Sequence, residues 1–167
     1  KDVMYDVTAS YNCEDALEKI EKETMDLMIE KDAYLVPTIT AGKEVSINAE
    51  KPGYFPPRIA EKALEIGPKI QNTFAKAYKK GVGIAFGTDA GVFTHGENAR
   101  EFVYMVEAGM PEIEAIQSAT LTNARILKKD NELGQVKEGF FADIIAVEGD
   151  PLKDISVLGS VRFVMKN

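Results

Sequence analysis

The sequence predicts an α/β protein in which helices cover a parallel sheet and a small, separate β layer follows. Two short and nearly continuous apolar runs, at 33–40 and 82–86, are typical of strands that are buried on both faces. Segments with helical spacing of apolar residues alternate with these runs, and that order is typical of a parallel sheet. After Lys129 the chain becomes rich in turn residues, which indicates the separate β layer.

The first third of the chain predicts a strand, a helix and a second strand. Asp2–Val7 is a short candidate strand, and apolar residues at steps of three and four predict a helix from about Glu14 to Lys31. Ala33–Thr40 is the first buried strand. Pro37 should end its regular hydrogen bonding, because proline has no N–H to donate.

The middle of the chain predicts a long loop and then a broken helix. Ala41–Pro57 is rich in Gly, Lys, Glu, Asn and Pro, so we expect a mobile or functional loop there. Apolar residues from Ile59 to Tyr78 repeat at helical spacing, but Gly67-Pro68 predicts two helical pieces joined at a kink. Gly81 ends the second piece.

The last half predicts two helices and two strands. Helical spacing covers Asn98–Ala108 and Pro111–Lys128, with Gly109 between them. Strand candidates in the final segment are Ala142–Val147 and Val161–Met165.

Composition limits the classes of function. The 167 residues are 45% hydrophobic and 28% charged, and 20 Lys plus Arg against 27 Asp plus Glu give a net charge of −7 without charge blocks. We therefore expect no nucleic-acid or membrane partner. The single cysteine, Cys13, fits a reducing compartment, and the absence of a signal pattern or an apolar run of about 20 residues makes the cytoplasm the expected location.

Asp89 is the first candidate for chemistry. It follows the apolar run 82–86, where the exit of a parallel strand commonly carries catalytic side chains. It lies between Gly87 and Gly91, and these glycines should let the backbone turn sharply. A carboxylate there can be a metal ligand, a general base or both. It can equally serve as a turn or helix cap, and the spacing alone leaves both uses open.

His95 is the second candidate, because it is the only histidine and lies in the loop that follows. One imidazole cannot build a zinc site, which usually needs three or four protein ligands. The two uses that stay open are local packing or hydrogen bonding and direct contact with a substrate.

A family resemblance adds to this interpretation. The run "GIAFGTDAG", the following "HGENAREFVYMVEAGMPEIEAIQSATLTNARIL" and the later "LGQVKEGFFADIIAVEGDPLKDI" resemble, in order and spacing, the C-terminal part of the amidohydrolase superfamily. The most similar branch is that of the prolidase-like Xaa-Pro dipeptidases, related to imidazolonepropionase. The similarity extends from about Glu23 to the end.

The resemblance implies the last part of a (β/α)8 TIM-type barrel at residues 1–129 and part of a small β-sandwich at 130–167. It also implies a divalent metal, with zinc the first expectation, in the complete protein. Asp89 matches the family's aspartate at the end of strand eight. That residue binds the metal and takes the proton of the water that attacks the amide carbon. The expected substrate is a small molecule or dipeptide, with His95 as a substrate contact.

Departures from the family pattern are equally clear. The family's His-x-His pair, bridging lysine and two further histidines have no counterpart here, since His95 matches none of those positions. Ile20–Lys22 reads "IEK" where the family often reads Ile-Glu-His, and Phe140–Asp143 lacks the lysine of the family's "GK.AD" block. We therefore expect the C-terminal piece of an enzyme that forms a homo-oligomer or lacks its N-terminal part.

Two alternatives compete with this interpretation. In the first, the chain alone is an inactive fragment or assembly module in which Asp89 is a relic. A phosphoacceptor domain of the response-regulator type also uses an aspartate at a strand end. However, this chain lacks the acidic pair and the late-strand lysine of that fold.

Overall fold

The computed structural model describes residues 22–166. The predicted strand at 2–7, Cys13 and the first part of the predicted helix at 14–31 lie outside this range. In chain order the described elements are α1 (Lys22–Glu30), β1 (Tyr34–Leu35), α2 (Ile39–Ala49), α3 (Pro57–Lys80), β2 (Gly83–Ile84), α4 (Arg100–Glu107), α5 (Glu112–Gln117), a π-helical turn (Ser118–Thr122), α6 (Asn123–Ile126), β3 (Ile144–Val147), a 3-10 turn (Ile155–Gly159) and β4 (Val161–Met165).

The two buried apolar runs pair as parallel strands, as the sequence predicts. Tyr34 lies opposite Gly83 and Leu35 opposite Ile84, and the N–H of Ala85 extends the pairing by donating to the carbonyl of Leu35 at 3.0 Å. The regular part of each strand is only two residues long. Because the two strands are parallel, the segments that follow β1 and β2 emerge at the same edge of the sheet.

The core lies between this strand pair and the helices around it. Its completely buried members are Ile39 of α2, Phe74 and Ala77 of α3, Met105 of α4 and Ala115 of α5. These residues come from four different helices. The hydrophobic contacts among them therefore fix the helices against the strands.

The predicted loop at Ala41–Pro57 is wrong over most of its length, because Ile39–Ala49 forms helix α2. Helix α2 packs closely on α3 at two glycines, one on each helix, because a glycine has no side chain to keep the helices apart. A Cβ at Gly42 would lie 2.1 Å from Ile70 Cδ1, and a Cβ at Gly67 would lie 2.5 Å from Ser46 Cβ. These glycines therefore serve close packing between helices.

The predicted division into two helical pieces at Gly67-Pro68 is also wrong, while the kink itself stays a prediction. Helix α3 runs without interruption from Pro57 to Lys80 and contains Pro68. The proline removes one backbone N–H from the helix interior, which alone is unfavourable. Burial of Ile66 and Phe74 on the two sides of it explains why the helix continues: tertiary packing outweighs the local preference.

The other predicted elements of the second half are confirmed within a few residues. The helix predicted at Pro111–Lys128 is one helical segment, but it is interrupted by the π-helical turn Ser118–Thr122, which the sequence does not predict. Strands β3 and β4 form an antiparallel pair with Ile144 opposite Met165 and an irregularity after Ala146.

The β3–β4 pair exposes apolar side chains. Every residue of β4 is exposed, including Phe163 and Val164, and so is Ile145 of β3. A two-stranded sheet with such a surface is marginal unless other structure covers it. Among the helices of residues 22–166, none is both long and apolar enough to cross a bilayer.

Candidate active site at the ends of the parallel strands

Asp89 lies at the edge where both parallel strands end. Its side chain is exposed, and within residues 22–166 it has no hydrogen-bond or ion-pair partner. Its φ angle is 47°, in the left-handed region. Aspartate tolerates this conformation better than most residues, yet such a backbone persists only where its surroundings hold it. The carboxylate makes no capping hydrogen bond in the described part of the chain, so it is available to a ligand.

The glycines that flank Asp89 do not form its turn, contrary to the prediction from the sequence. Gly87 and Gly91 have no positive φ, so Asp89 itself is the left-handed residue of this turn. A Cβ at Gly87 would lie 2.5 Å from Val36 Cγ1, whereas at Gly91 it would meet nothing within 4 Å. Gly87 is therefore needed for close approach of the two strand exits.

Side-chain amides hold the segment that leads from β2 to Asp89. Asn123 Nδ2 donates to the carbonyl of Phe86 at 2.9 Å, and Asn98 Nδ2 donates to Thr88 Oγ1 at 3.1 Å. The N–H of Phe86 also donates to the carbonyl of Ser118, which lies in the π-helical turn, at 3.4 Å. Contacts from the helical region around Ser118 and Asn123, and from the turn before α4, therefore hold the chain beyond Ala85.

Glu101, in the first turn of α4, is a buried carboxylate that the sequence analysis missed. Its Oε1 accepts from the N–H of Ile39 at 2.8 Å, and its Oε2 accepts from the N–H of Thr40 at 2.7 Å and from Thr40 Oγ1 at 2.6 Å. These N–H groups begin helix α2 and have no partner within it. Thr38, which precedes the helix, makes no side-chain cap. Glu101 therefore caps α2 from another element.

The electrostatic environment of Glu101 combines two opposing effects. Burial raises the pKa of Glu101 above the ordinary value of 4.5, and the hydrogen bonds from Thr40 and Ile39 act in the opposite direction. The positive end of the α2 dipole also favours the ionised carboxylate. No salt bridge to Glu101 occurs within residues 22–166, so neutral donors alone satisfy its oxygens there.

His95 is exposed in the loop that follows Asp89. Its imidazole makes no hydrogen bond or ion pair with another residue of the described range, Asp89 included. The structure therefore leaves a substrate contact through His95 as a prediction.

The described residues do not fit a complete metal centre. No group of three or more His, Cys, Asp or Glu side chains within residues 22–166 is arranged to hold a metal ion. Asp89 offers one carboxylate, and stable sites usually need three or four protein ligands. Further ligands would have to come from outside this range.

A weak sequence signal for Glu101 exists. Met105 follows it by four positions, so both lie on one face of α4, and Met105 is completely buried. An acid on the apolar face of a helix is unusual and indicates a buried partner. Spacing cannot show that the partner is the start of α2. The roles of Asn98 and Asn123 give no such signal, since asparagine is common at helix starts and in turns.

Comparison with known proteins gives a consistent family. Residues 2–167 match the amidohydrolase family model. The ochratoxinase of Aspergillus niger is 39% identical over 101 residues, which is 57% of this chain and 21% of the ochratoxinase. A 5-methylthioadenosine/S-adenosylhomocysteine deaminase of Caldanaerobacter subterraneus subsp. tengcongensis is 25% identical over 154 residues, which is 81% of this chain and 34% of the deaminase. The chain thus spans only a minor part of these relatives.

Solved structures agree. An Xaa-Pro dipeptidase with methionine bound in its active site superimposes with a TM-score of 0.85 and 48% identity, covering 92% of this chain and 40% of the dipeptidase. The A. niger ochratoxinase gives a TM-score of 0.70 with 33% identity, covering 87% of this chain and 34% of that structure. The predicted relationship to folds of the TIM-barrel type is supported, while the partial barrel, the sandwich and the boundary at 129/130 stay predictions. Because the family model covers nearly every residue and these neighbours share its fold, the chain belongs to the amidohydrolase family.

Proposed function

We propose that this chain is the C-terminal part of a metal-dependent hydrolase of amide or peptide C–N bonds, of the Xaa-Pro dipeptidase type. The carboxylate of Asp89 carries the proposal. It is exposed, without an intramolecular partner among residues 22–166, and held in a left-handed conformation at the strand exits. The 48% identity to an Xaa-Pro dipeptidase structure supports the substrate class.

In this proposal Asp89 acts as a general base. Its carboxylate takes a proton from the water that attacks the carbonyl carbon and passes it to the leaving nitrogen, which departs as an amine. The left-handed backbone and the amide contacts at Phe86 and Thr88 would keep the carboxylate aimed at the reacting atoms. The proposed enzyme also binds a divalent metal, for which zinc is the first candidate. Its ligands other than Asp89 would lie outside residues 22–166.

A second candidate is an inactive fragment or assembly module. Two observations favour it: the described residues contain no cluster of metal ligands, and the β3–β4 pair exposes an apolar surface. Under this alternative, the carboxylate of Asp89 has no chemical role.

An activity screen on the full-length protein tests the proposal. The protein would be loaded with zinc and assayed for amine release from Met-Pro and Leu-Pro, with Met-Ala as the matched dipeptide without proline. An ochratoxin and 5-methylthioadenosine, the compounds in the names of the other relatives, would complete the substrate panel. Hydrolysis of the Xaa-Pro dipeptides that is lost on chelation and restored by zinc is the expected result. A folded, zinc-loaded protein that cleaves no C–N bond in the panel would favour the inactive module.

A further inference from the structure

We propose that Glu101 is a positioning residue that fixes the Thr88–Asp89 segment, although Glu101 itself lies in the protein interior. The inference rests on the proposed function for its catalytic consequence. Its structural content, that Glu101 holds the backbone around Asp89, can be tested separately.

The first turn of α4 lies between the two strand exits and contacts both. On one side, Glu101 accepts three hydrogen bonds from Ile39 and Thr40, at the start of the helix that follows β1. On the other side, the ring of Phe102 stacks on Phe86 with centroids 4.1 Å apart. The place of α4 against α2 therefore determines the place of the segment after β2.

A third contact reaches the residue next to Asp89. Asn98, three residues before Glu101, donates to Thr88 Oγ1 at 3.1 Å. The N–H of Glu101 donates in turn to the carbonyl of Asn98 at 3.2 Å, which joins the two residues in one turn. Movement of Glu101 would thus shift Asn98 and, through Thr88, the backbone of Asp89.

The chemistry of this position requires a carboxylate. Two of the three groups that face its oxygens are backbone N–H donors, which cannot reverse their direction, and the third is the hydroxyl of Thr40. A glutamine has the same shape but offers only one acceptor oxygen, so its NH₂ group would face a backbone N–H. Because the site is buried, the unpaired donor would be costly, and the first turn of α4 should shift.

The experiment compares Glu101→Gln with Glu107→Gln in the full-length protein. Glu107 is the matched control, since it lies in the last turn of the same helix and is exposed. Among residues 22–166 it receives only a 3.3 Å hydrogen bond, from Gln71. Hydrogen exchange of the peptides that contain residues 38–41 and 86–90 is measured together with kcat and KM on an Xaa-Pro dipeptide, per folded molecule.

We expect Glu101→Gln to speed exchange about tenfold in both peptides. We also expect it to lower kcat about 10- to 100-fold with KM within about twofold, since misplacement of a catalytic group costs that much. Glu107→Gln should leave all of these unchanged. Faster exchange at 38–41 alone, with unchanged kcat, would overturn the proposal, because Glu101 would then only cap α2.

Two further variants keep the outcomes separate. If Glu101→Gln does not fold, Asn98→Ala cuts only the exposed end of the same path and should still speed exchange at 86–90 and lower kcat about tenfold. Exchange and kcat that both stay at the wild-type values would then overturn the proposal. If Asp89→Asn retains full activity, the proposed function fails, while exchange at 86–90 still decides whether Glu101 holds the segment.

Discussion

Thr40 and Glu101 are 61 residues apart in the chain, yet the hydroxyl and the backbone N–H of Thr40 both donate to Glu101 Oε2, at 2.6 and 2.7 Å. Both residues are almost inaccessible to solvent, with exposures of 1% and 0%. A carboxylate in such surroundings is costly unless its oxygens have donors. This pair therefore stabilises the fold mainly by avoiding that cost.

Replacement of the hydroxyl donor should be costly. We expect Thr40→Val, which keeps the branched shape, to lower the free energy of unfolding of the full-length protein by about 1.5–3 kcal/mol, because a hydrogen bond to a charged acceptor is lost. Thr40→Ser is the matched control, since it keeps the hydroxyl and loses one methyl group; its cost should be about 1 kcal/mol. Urea unfolding at neutral pH measures both. Equal losses in the two variants would mean that the hydroxyl contributes nothing specific.

The pH dependence of stability should carry the signature of Glu101. Because burial raises the pKa of Glu101 above 4.5 in the folded state, the folded protein binds this proton more tightly than the unfolded chain does. The resulting contribution to stability is complete below pH 4.5 and is lost as the pH rises through the folded-state pKa. Glu101→Gln does not titrate. The difference in free energy of unfolding, wild type minus variant, should therefore be constant below pH 4.5 and decrease above it. An increase with pH would show that the donors lower the pKa more than burial raises it.

The sequence predicts the strand pair and the later helices because their signals are local. The apolar run 82–86 and the helical spacing of apolar residues around Met105 and around Ala115 reflect burial within each segment. Helix α2 was not predicted, because the features that form it depend on distant segments. Its Gly42 is needed only because Ile70 lies across from it, and its first N–H groups are satisfied by Glu101. Contacts between distant segments decide both features.

The candidate site shows the same limit. Sequence and structure both place Asp89 at a strand exit. The sequence, however, predicts that the flanking glycines make the turn, and the structure does not bear this out. The left-handed residue is Asp89 itself, while Gly87 avoids a clash with Val36. Neither fact follows from residue type, because a glycine near a turn can serve either use.

The 167-residue chain produced alone should self-associate. The β3–β4 pair exposes Ile145, Phe163 and Val164 at 54%, 52% and 69%, and such a surface on two marginal strands favours association. Size-exclusion chromatography with light scattering should show dimers or larger species. Val164→Lys should shift the distribution toward monomer, whereas Val136→Lys, in the preceding loop, should not. A monodisperse particle of 18.3 kDa would contradict the prediction that this chain needs a further segment or partner.

Asp89→Asn in the full-length protein separates catalysis from architecture. The amide keeps the size of the side chain and tolerates the left-handed backbone, so the fold and the melting temperature should change little. An amide cannot accept the proton of the attacking water, and we expect kcat on an Xaa-Pro dipeptide to fall at least ~100-fold. The matched control is Asp130→Asn, in the loop after α6, which should leave turnover unchanged. Kinetics and thermal unfolding are measured on the same preparations. If the melting temperature fell sharply while the activity per folded molecule stayed the same, Asp89 would serve the turn and the chemistry would lie elsewhere.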